Sequence, residues 1–281
     1  MTYMTQQFGT LYLCPTPIGN LGDITTRTLE TLKAVDLIAA EDTRRSLQLL
    51  NHFDIKKPII SYFEHNKHQR GPELLARLQK GESIALVTDA GMPAISDPGE
   101  DLVKLCIEQQ IPVVPLPGPN AALTALIASG LPTGRFSFQG FLSTNKKDRR
   151  EQLQAISHHT ETLIFYEAPH KLKATLQDLL DCLGNRDIVL CRELTKKFEE
   201  FVRLDLEQAI IYYEEHAPKG EFVLIVRGAA STNTSPVCEL PLEEIYQNYL
   251  DSGVPYKEAL KMAAQDKGLR KRDAYDILKK S

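Results

Sequence analysis

Apolar runs of four to six residues alternate with segments of helical periodicity along the first part of the chain. Such short runs are typical of buried strands, and polar-apolar repeats at three- and four-residue spacing are typical of helices. This alternation predicts a mostly parallel sheet in a first α/β domain. The predicted strands lie at 11–14, 36–40, 58–62, 83–87 and 111–116, and the predicted helices at 25–35, 44–53, 71–80 and 100–106.

The same alternation continues after a small-residue helix at 120–129, for which Asn120 is the expected N-cap. It predicts a second α/β domain at 119–230, following a first domain at 1–118. Further strands are expected at 136–139, 162–166, 187–191 and 222–226, helices at 146–156 and 171–183, and 198–204 can pair with a neighbouring strand.

The last part of the chain differs in composition from the two α/β domains. Residues 231–240 are small and polar, which predicts a linker. Three short helical patterns follow within 241–281, at 242–250, 256–265 and 271–279, separated by Gly- and Pro-containing turns. This helical appendix has the pattern of a helix-turn-helix, and a bundle that serves packing or dimerisation is an equally good interpretation.

Three loops rich in Gly and Pro follow predicted strands, at 15–20, 88–99 and 117–122. In open α/β sheets, ligands bind outside the carboxyl ends of the strands. The alternative is a plain strand-to-helix turn, but such turns are about two to six residues long, and the loop at 88–99 is longer. The three loops therefore predict one shared ligand crevice.

The loop sequences restrict the chemistry of that ligand. The chain contains no G-x-G and no P-loop motif, which argues against the dinucleotide fingerprint and against a Walker phosphate site. Loops rich in Pro suit a ligand that is recognised by shape and by backbone carbonyls and that carries little anionic charge. A sulfonium cation beside an adenosine fits this description.

Composition adds limits on compartment and partners. The net charge of −4 argues against indiscriminate binding of naked nucleic acid. It leaves room for local basic clusters, each of which is either a solvated face or an RNA contact; they lie at 44–45, 146–150, 196–197 and 270–272. No apolar run reaches membrane-spanning length and no signal peptide is recognisable at the N-terminus. Five dispersed cysteines without metal-ligand spacing predict a reduced, cytoplasmic protein without a protein-bound metal.

Several of these segments match a known family in order. The chain resembles the tetrapyrrole methylase superfamily and, within it, the branch that methylates ribosomal RNA. The resemblance spans nearly the whole chain, so the ordered set is far more specific than any one motif. The matching segments are TPIGN at 16–20, EDTR at 41–44, TDAGMPAISDPG at 88–99, PGP at 117–119, FQGFL at 138–142, FYEAPHK at 165–171, RELTK at 192–196 and GEFVL at 220–224.

The resemblance implies a cofactor cleft between the two α/β domains and S-adenosyl-L-methionine as the methyl donor. It further implies a cytidine ribose 2′-hydroxyl of 16S rRNA in the small ribosomal subunit as the acceptor, and a homodimer. Two alternatives stay open: a sibling enzyme that methylates a tetrapyrrole carbon, and a non-catalytic RNA- or DNA-binding regulator that uses the C-terminal helices.

The resemblance also implies which residues bind the cofactor. They lie in the three loops and on two strands of the second domain. Tyr166 and Glu167 depart from the apolar residue that is common in the porphyrin-acting relatives. The expected set is Pro17, Asp89, Ala90, Gly91, Ile95, Asn120, Ala121, Tyr166, Glu167 and Arg192.

Candidates for catalysis and RNA binding follow from their positions near the loops. A positioned base accelerates proton removal by about 10²–10⁴-fold, and Glu64 and Glu167 are the candidates, with Glu41, Asp42, His65 and Glu193 nearby in the predicted cleft. For the segment Phe63–Asn66, a structural hydrogen-bond network is the preferred interpretation over a catalytic one. Lys196 is a candidate for lowering the pKa of the acceptor hydroxyl. The expected phosphate contacts are Arg44, Arg45, His170, Lys171 and Lys196.

Overall fold

A computed structural model describes residues 8–230, 240–269 and 271–279. The described residues up to 228 form one compact unit, and those from 229 onward form a second. Within these ranges, none of the helices combines the length and the apolar character that crossing a membrane requires.

The first sheet has five strands, all parallel, in the order β3-β2-β4-β1-β5. This confirms the α/β fold class and the parallel sheet that the alternation predicted. The strands are β1 (Leu11–Leu13), β2 (Leu37–Ala40), β3 (Ile59–Ser61), β4 (Ile84–Val87) and β5 (Val113–Pro115), and the helices between them are α1 (Thr26–Ala34), α2 (Thr43–His52), α3 (Lys67–Gln79) and α4 (Glu100–Glu108).

Both faces of this sheet are buried, as expected for parallel strands covered by helices. Along β4, Ile84 and Leu86 enter one core cluster, whereas Ala85 and Val87 enter the cluster on the opposite face. This two-sided burial explains why the strands appear in the sequence as continuous apolar runs instead of alternating ones.

Side-chain caps place the helices near their predicted starts. Thr25 Oγ1 accepts from the N–H of Thr28 at 3.1 Å, and Asp42 Oδ1 accepts from the N–H of Arg44 at 2.8 Å. Helix α3 begins at Lys67 instead of residue 71, one turn earlier than predicted, and contains Pro72. The extra turn begins at Asn66, whose backbone carbonyl accepts from the N–H groups of Gln69 and Arg70 at 3.0 and 2.9 Å.

The second sheet has the order β6-β7-β10-β8-β9, with β6 parallel to β7 and the remaining pairs antiparallel. The segment that was predicted to pair is strand β9. The strands are β6 (Phe136–Phe141), β7 (Thr162–Glu167), β8 (Asp187–Arg192), β9 (Glu200–Asp205) and β10 (Phe222–Val226), and the helices are α5 (Ala121–Ser129), α6 (Lys146–Ala155), α7 (Leu172–Leu183) and α8 (Leu206–Glu215).

The two faces of the second sheet pack against different helices. Helix α5 packs Ala125 and Leu126 against Ile164 and Ile225 on one face, whereas α6, α7 and α8 pack on the other. Helix α8 was not predicted. Its start carries a capping box between Asp205 and Gln208, a sequence signature from which the helix could have been found.

The C-terminal unit consists of α9 (Leu242–Asp251), α10 (Tyr256–Asp266) and α11 (Lys271–Leu278). The small side chains of Ala263 and Ala274 are fully buried, which lets the helices approach closely. The predicted linker lies outside the described residues except for Leu240, and so does Arg270 of the basic cluster at 270–272. The predicted domain boundary at 118–119 falls in the loop between β5 and α5.

Candidate functional site

A cleft lies where the carboxyl ends of the first sheet face the second sheet. It consists of two adjoining compartments that share Ile18, Arg45, Asp89, Ala90 and Glu221. The apolar compartment, about 400 Å³, is further lined by Gly91, Met92, Ile95, Asp97, Asn120, Ala121, Phe141, Tyr166, Glu167, Leu194 and Val223. The polar compartment, about 420 Å³, is further lined by Thr16, Pro17, Gly19, Gln48, His52, Thr88 and Lys196.

The three Gly- and Pro-rich loops meet at this cleft, as predicted. Thr16 and Gly91 exchange backbone hydrogen bonds of 2.9 and 3.0 Å, and Thr16 Oγ1 donates to the carbonyl of Thr88 at 3.0 Å. Gly91 has a φ of +85°, a conformation that other residues adopt only with strain. The third loop joins them, because a Cβ on Gly118 would lie only 2.6 Å from Pro15 Cβ.

The first loop also rests on a turn of the second domain. The N–H of Asn20 donates to Thr195 Oγ1 at 3.0 Å, and a Cβ on Gly19 would lie 2.4 Å from Lys196 Cγ. Glu193 and Thr195 have positive φ values of 51° and 66°. This contact forms one wall of the polar compartment and sets the position of the first loop relative to the 193–196 turn.

Nine of the ten predicted cofactor residues line the cleft. Pro17 lines the polar compartment, Asp89 and Ala90 line both compartments, and the other six line the apolar compartment. Arg192 does not line it. Its Nε donates to Glu200 Oε2 at 2.9 Å, while the preceding Cys191 lines the apolar compartment, because successive side chains of a strand point to opposite faces.

Carboxylates dominate the charge of the apolar compartment. Burial, aided by the charges of Glu41 and Asp89, raises the pKa of Asp97 to about 6. Burial and the charge of Glu41 also raise the pKa of Asp89, while Arg45, whose Nη1 lies 3.0 Å from Asp89 Oδ2, opposes this shift. Such a wall favours a cationic ligand and disfavours an anionic one.

Glu167 and Tyr166 stand at the end of β7. Glu167 is only 4% exposed, and its carboxylate accepts from the N–H of Ala168 at 2.8 Å and from Thr175 Oγ1 at 2.5 Å. With both oxygens engaged, it is better placed to fix the loop before α7 than to act as a base. The ring of Tyr166 packs edge-on against Phe138 and Phe141, and burial raises its pKa.

Glu64, another predicted base, does not line either compartment. Its carboxylate lies 2.7 Å from Lys67 Nζ, which also lies 2.8 Å from Asp101 on helix α4. The neighbouring Asn66 caps the turn through Phe63 and donates to the carbonyl of Ser61. These contacts correspond to the structural hydrogen-bond network that was the preferred interpretation of this segment.

The predicted phosphate contacts occupy different places around the cleft. Lys196 Nζ is held between Glu193 at 3.0 Å and Glu221 at 2.9 Å in the polar compartment. Arg45 lines both compartments, and Arg44 is exposed and pairs with Asp42, whose pKa it lowers to about 2. His170 is exposed just beyond the lining residue Pro169, and Lys171 precedes α7.

Asp97 is a charged lining residue that sequence reasoning missed. It belongs to the loop at 88–99, where its D-P-G context resembles ordinary turn chemistry. Its burial and its neighbours depend on the path of the loop, which the sequence does not specify. Across the residues that the structure describes, no group of His, Cys, Asp and Glu side chains is arranged to hold a metal ion.

Comparison with known proteins agrees with this geometry. Residues 10–210 match the family model of tetrapyrrole (corrin/porphyrin) methylases. The chain is 52% identical over 278 residues to ribosomal RNA small subunit methyltransferase I of Halalkalibacterium halodurans, covering 96% of this chain and 94% of that protein. It is 49% identical over 270 residues to the protein of the same name from Synechocystis, covering 96% and 97%.

Solved structures share the fold at lower identity. Uroporphyrin-III C-methyltransferase from Thermus thermophilus, complexed with S-adenosylhomocysteine, superposes with a TM-score of 0.55 at 18% identity, covering 79% of this chain and 98% of that one. At this identity the likeness concerns the arrangement of the two α/β sheets.

Proposed function

The chain belongs to the tetrapyrrole methylase family, among the ribosomal RNA small subunit methyltransferase I proteins, and is a methyltransferase; from that premise we propose that it methylates a cytidine ribose 2′-hydroxyl of 16S rRNA in the small ribosomal subunit, with S-adenosyl-L-methionine as methyl donor. One observation carries the proposal beyond the family: a carboxylate-lined apolar compartment adjoins a polar compartment that holds Arg45 and Lys196.

The apolar compartment suits the donor. S-adenosyl-L-methionine supplies a methyl group on a positively charged sulfur, which becomes a neutral thioether after transfer. Asp89 and Glu41 favour the cation over the neutral product, so their charge assists both binding and product release. Gly91, Ile95, Ala121 and Tyr166 supply apolar surface and close backbone approach for an adenosine.

The polar compartment suits the acceptor strand. The carboxylates of the apolar compartment repel phosphate. An RNA strand therefore has to present its ribose to that compartment and leave its phosphates outside it. Arg45, Lys196 and His52 lie on the side where those phosphates would run. Arg44, His170 and Lys171 extend the proposed path around the mouth of the cleft. Aligning the acceptor oxygen behind the methyl carbon is the main task and is worth about 7–11 kcal/mol.

Two further parts of the proposal concern assembly and location. The outer side of helix α5 exposes Leu123 and Ile127, the latter to 77%, and a second copy of the chain in a homodimer would cover them. An enzyme that acts on ribosomal subunits works in the bacterial cytoplasm. Light scattering of the purified protein tests the dimer directly.

Methyl transfer from labelled S-adenosyl-L-methionine tests the function. Purified small subunits should be labelled, and large subunits and a uroporphyrinogen should not. Nuclease digestion followed by mass spectrometry should give 2′-O-methylcytidine. Replacing the target nucleotide by its 2′-deoxy form should abolish labelling, because the nucleophile is gone, while binding should fall less. Labelling of the deoxy substrate at the normal rate would refute the 2′-O assignment, and labelling of the uroporphyrinogen alone would support the tetrapyrrole enzyme.

A further inference from the structure

Asp97 lies on the wall of the apolar compartment, in a loop with an unusual backbone conformation. The backbone before it passes through Ala94 and Ser96 with positive φ values of 66° and 61°. Gly99 behind it has a φ of +147°, and a Cβ there would lie 2.8 Å from Leu86 Cδ2. Residues held in such sparsely populated conformations are fixed by their surroundings and recur at functional sites.

The other carboxylates of this compartment already have partners. Glu41 accepts from Thr88 Oγ1 at 2.8 Å, and Glu167 accepts from Ala168 and Thr175. The remaining two form ion pairs, Asp89 with Arg45 and Glu221 with Lys196.

Asp97 differs from them. In the part of the chain that the structure describes, no Lys, Arg or His side chain forms an ion pair with it. Its polar neighbour is Thr88, whose hydroxyl donates to Glu41 at 2.8 Å and, by its proximity, lowers the pKa of Asp97 against the larger effect of burial. The charged and titratable groups that face Asp97 or share its compartment are Glu41, Asp89, Arg45, Tyr166, Glu167, Cys191 and Glu221.

We propose that Asp97 contacts the acceptor hydroxyl and takes up its proton during methyl transfer. This inference rests on the proposed function. It differs from the bases predicted from sequence, because Glu64 lies outside the cleft and Glu167 is engaged by two donors.

The proton balance of the step is simple. A lone pair of the acceptor oxygen forms the bond to the methyl carbon, and the carbon–sulfur bond breaks with its electron pair going to sulfur. The O–H proton moves to a carboxylate oxygen of Asp97, and its bonding pair stays on the acceptor oxygen. Asp97 is only partly buried, so it can return the proton to water after product release.

The surroundings make Asp97 a stronger base than an ordinary carboxylate. Burial and the negative charges of Glu41 and Asp89 raise its pKa to about 6, so it is still largely ionised near neutral pH and binds a proton more firmly. A catalytic base works best with a pKa close to the working pH. Asp97 is closer to that condition than an unperturbed carboxyl group.

Asp97→Asn tests the proposal, with Asp101→Asn as the matched control. Asp101 lies four residues later, on the surface, paired with Lys67, and lines neither compartment. We expect Asp97→Asn to lower kcat by about 10²–10⁴-fold, the range for loss of a general base. The dissociation constant of S-adenosyl-L-methionine, measured by calorimetry, should change less than about threefold, well below the loss in kcat.

The pH profile separates this role from a structural one. The kcat/KM of wild type and of Asp101→Asn should fall below a midpoint of about pH 6, and that of Asp97→Asn should lack this limb. Asp97→Glu keeps a carboxylate and should retain the loss of activity at acidic pH, at a reduced kcat. This variant also tests the proposal if Asp97→Asn folds poorly.

Three outcomes would overturn the inference. A rise in the cofactor dissociation constant that accounts for the whole loss would make Asp97 a cofactor ligand. An acid limb that persists in Asp97→Asn would assign it to another group. If wild type transfers no methyl group to small subunits, the proposed function itself fails and the inference with it; the first two outcomes leave that function intact.

Discussion

The apolar and polar compartments are halves of one cleft, yet they are built differently. The apolar compartment is walled by loop backbone of the first sheet and by strand ends of the second, with carboxylates that few cations balance. The polar compartment lies between the first loop and the 193–196 turn, and its charged side chains are paired with one another.

This difference indicates two kinds of recognition. A small cationic donor is selected by a fixed, negatively charged shape. In the proposed function, a strand of RNA is selected by basic side chains whose positions are set by ion pairs. If this division is correct, single substitutions should affect donor binding and acceptor binding separately.

The largest expected effect is that of Gly91→Arg on donor binding. At a φ of +85° the new side chain strains the loop by about 1–2 kcal/mol, and the Arg side chain fills the apolar compartment and offsets its negative charge. We expect the dissociation constant for S-adenosyl-L-methionine in calorimetry to rise by about 100-fold or more.

Gly184→Arg is the matched control for that variant. Gly184 also has a positive φ, +77°, lines neither compartment and has no atom near its added Cβ, so backbone strain arises there without the obstruction. Both variants should unfold cooperatively in a thermal melt. Unchanged cofactor affinity in Gly91→Arg would refute the assignment of the apolar compartment to the donor.

The next effect concerns Lys196 in the polar compartment. Lys196→Gln removes the cation that Glu193 and Glu221 share, so two carboxylates would face the incoming phosphates. We expect the KM for small subunits to rise about tenfold, the range for one charge-assisted contact, with cofactor affinity nearly unchanged.

A second substitution sharpens this result. Glu221→Gln in the Lys196→Gln background removes one of the exposed negative charges and should recover part of the lost affinity for subunits. Lys197→Gln is the control, because Lys197 lies over the ring of Phe198 and lines neither compartment. Equal KM values for Lys196→Gln and Lys197→Gln would mean that the polar compartment does not bind the acceptor.

The loops of the apolar compartment were predictable, and the faces of the strands were not. Apolar runs followed by Gly and Pro marked the strand ends, and the carboxyl ends of parallel strands necessarily meet at one edge. Whether Cys191 or Arg192 lines the cleft depends on which face of β8 is turned toward it. That depends on strand register, which a single sequence does not determine. Asp97 depends on positive φ values at Ala94 and Ser96, which non-glycine residues rarely adopt.

A smaller effect is expected from deleting the C-terminal unit from Leu240 onward. The unit has its own apolar core, and its described surface carries Lys271, Arg272 and the exposed Tyr256. The truncated protein should bind S-adenosyl-L-methionine normally and should have about a fivefold higher KM for small subunits, with a reduced dependence on salt. An unchanged KM across salt concentrations would make the unit a structural element only.

The smallest effect concerns stability, and it tests the charge of the apolar compartment without any substrate. The pKa of Asp97 is raised from 3.8 to about 6 in the folded protein, so its ionisation has no effect on stability below pH 3.8, disfavours folding increasingly between pH 3.8 and 6, and disfavours it fully above pH 6. Asp97→Asn resembles the protonated acid at every pH. The variant should therefore be more stable than wild type at pH 8, and the difference should vanish as the pH falls below about 4. Because Asp97 is partly exposed, solvent screening reduces the expected gain to about 0.5–1 kcal/mol.

Asp101→Asn should show the opposite sign, because Lys67 lowers the pKa of Asp101 and its charge favours the folded state at neutral pH. Chemical denaturation at several pH values measures both variants, and a destabilised Asp97→Asn at pH 8 would mean that the charge of Asp97 is stabilised by its surroundings.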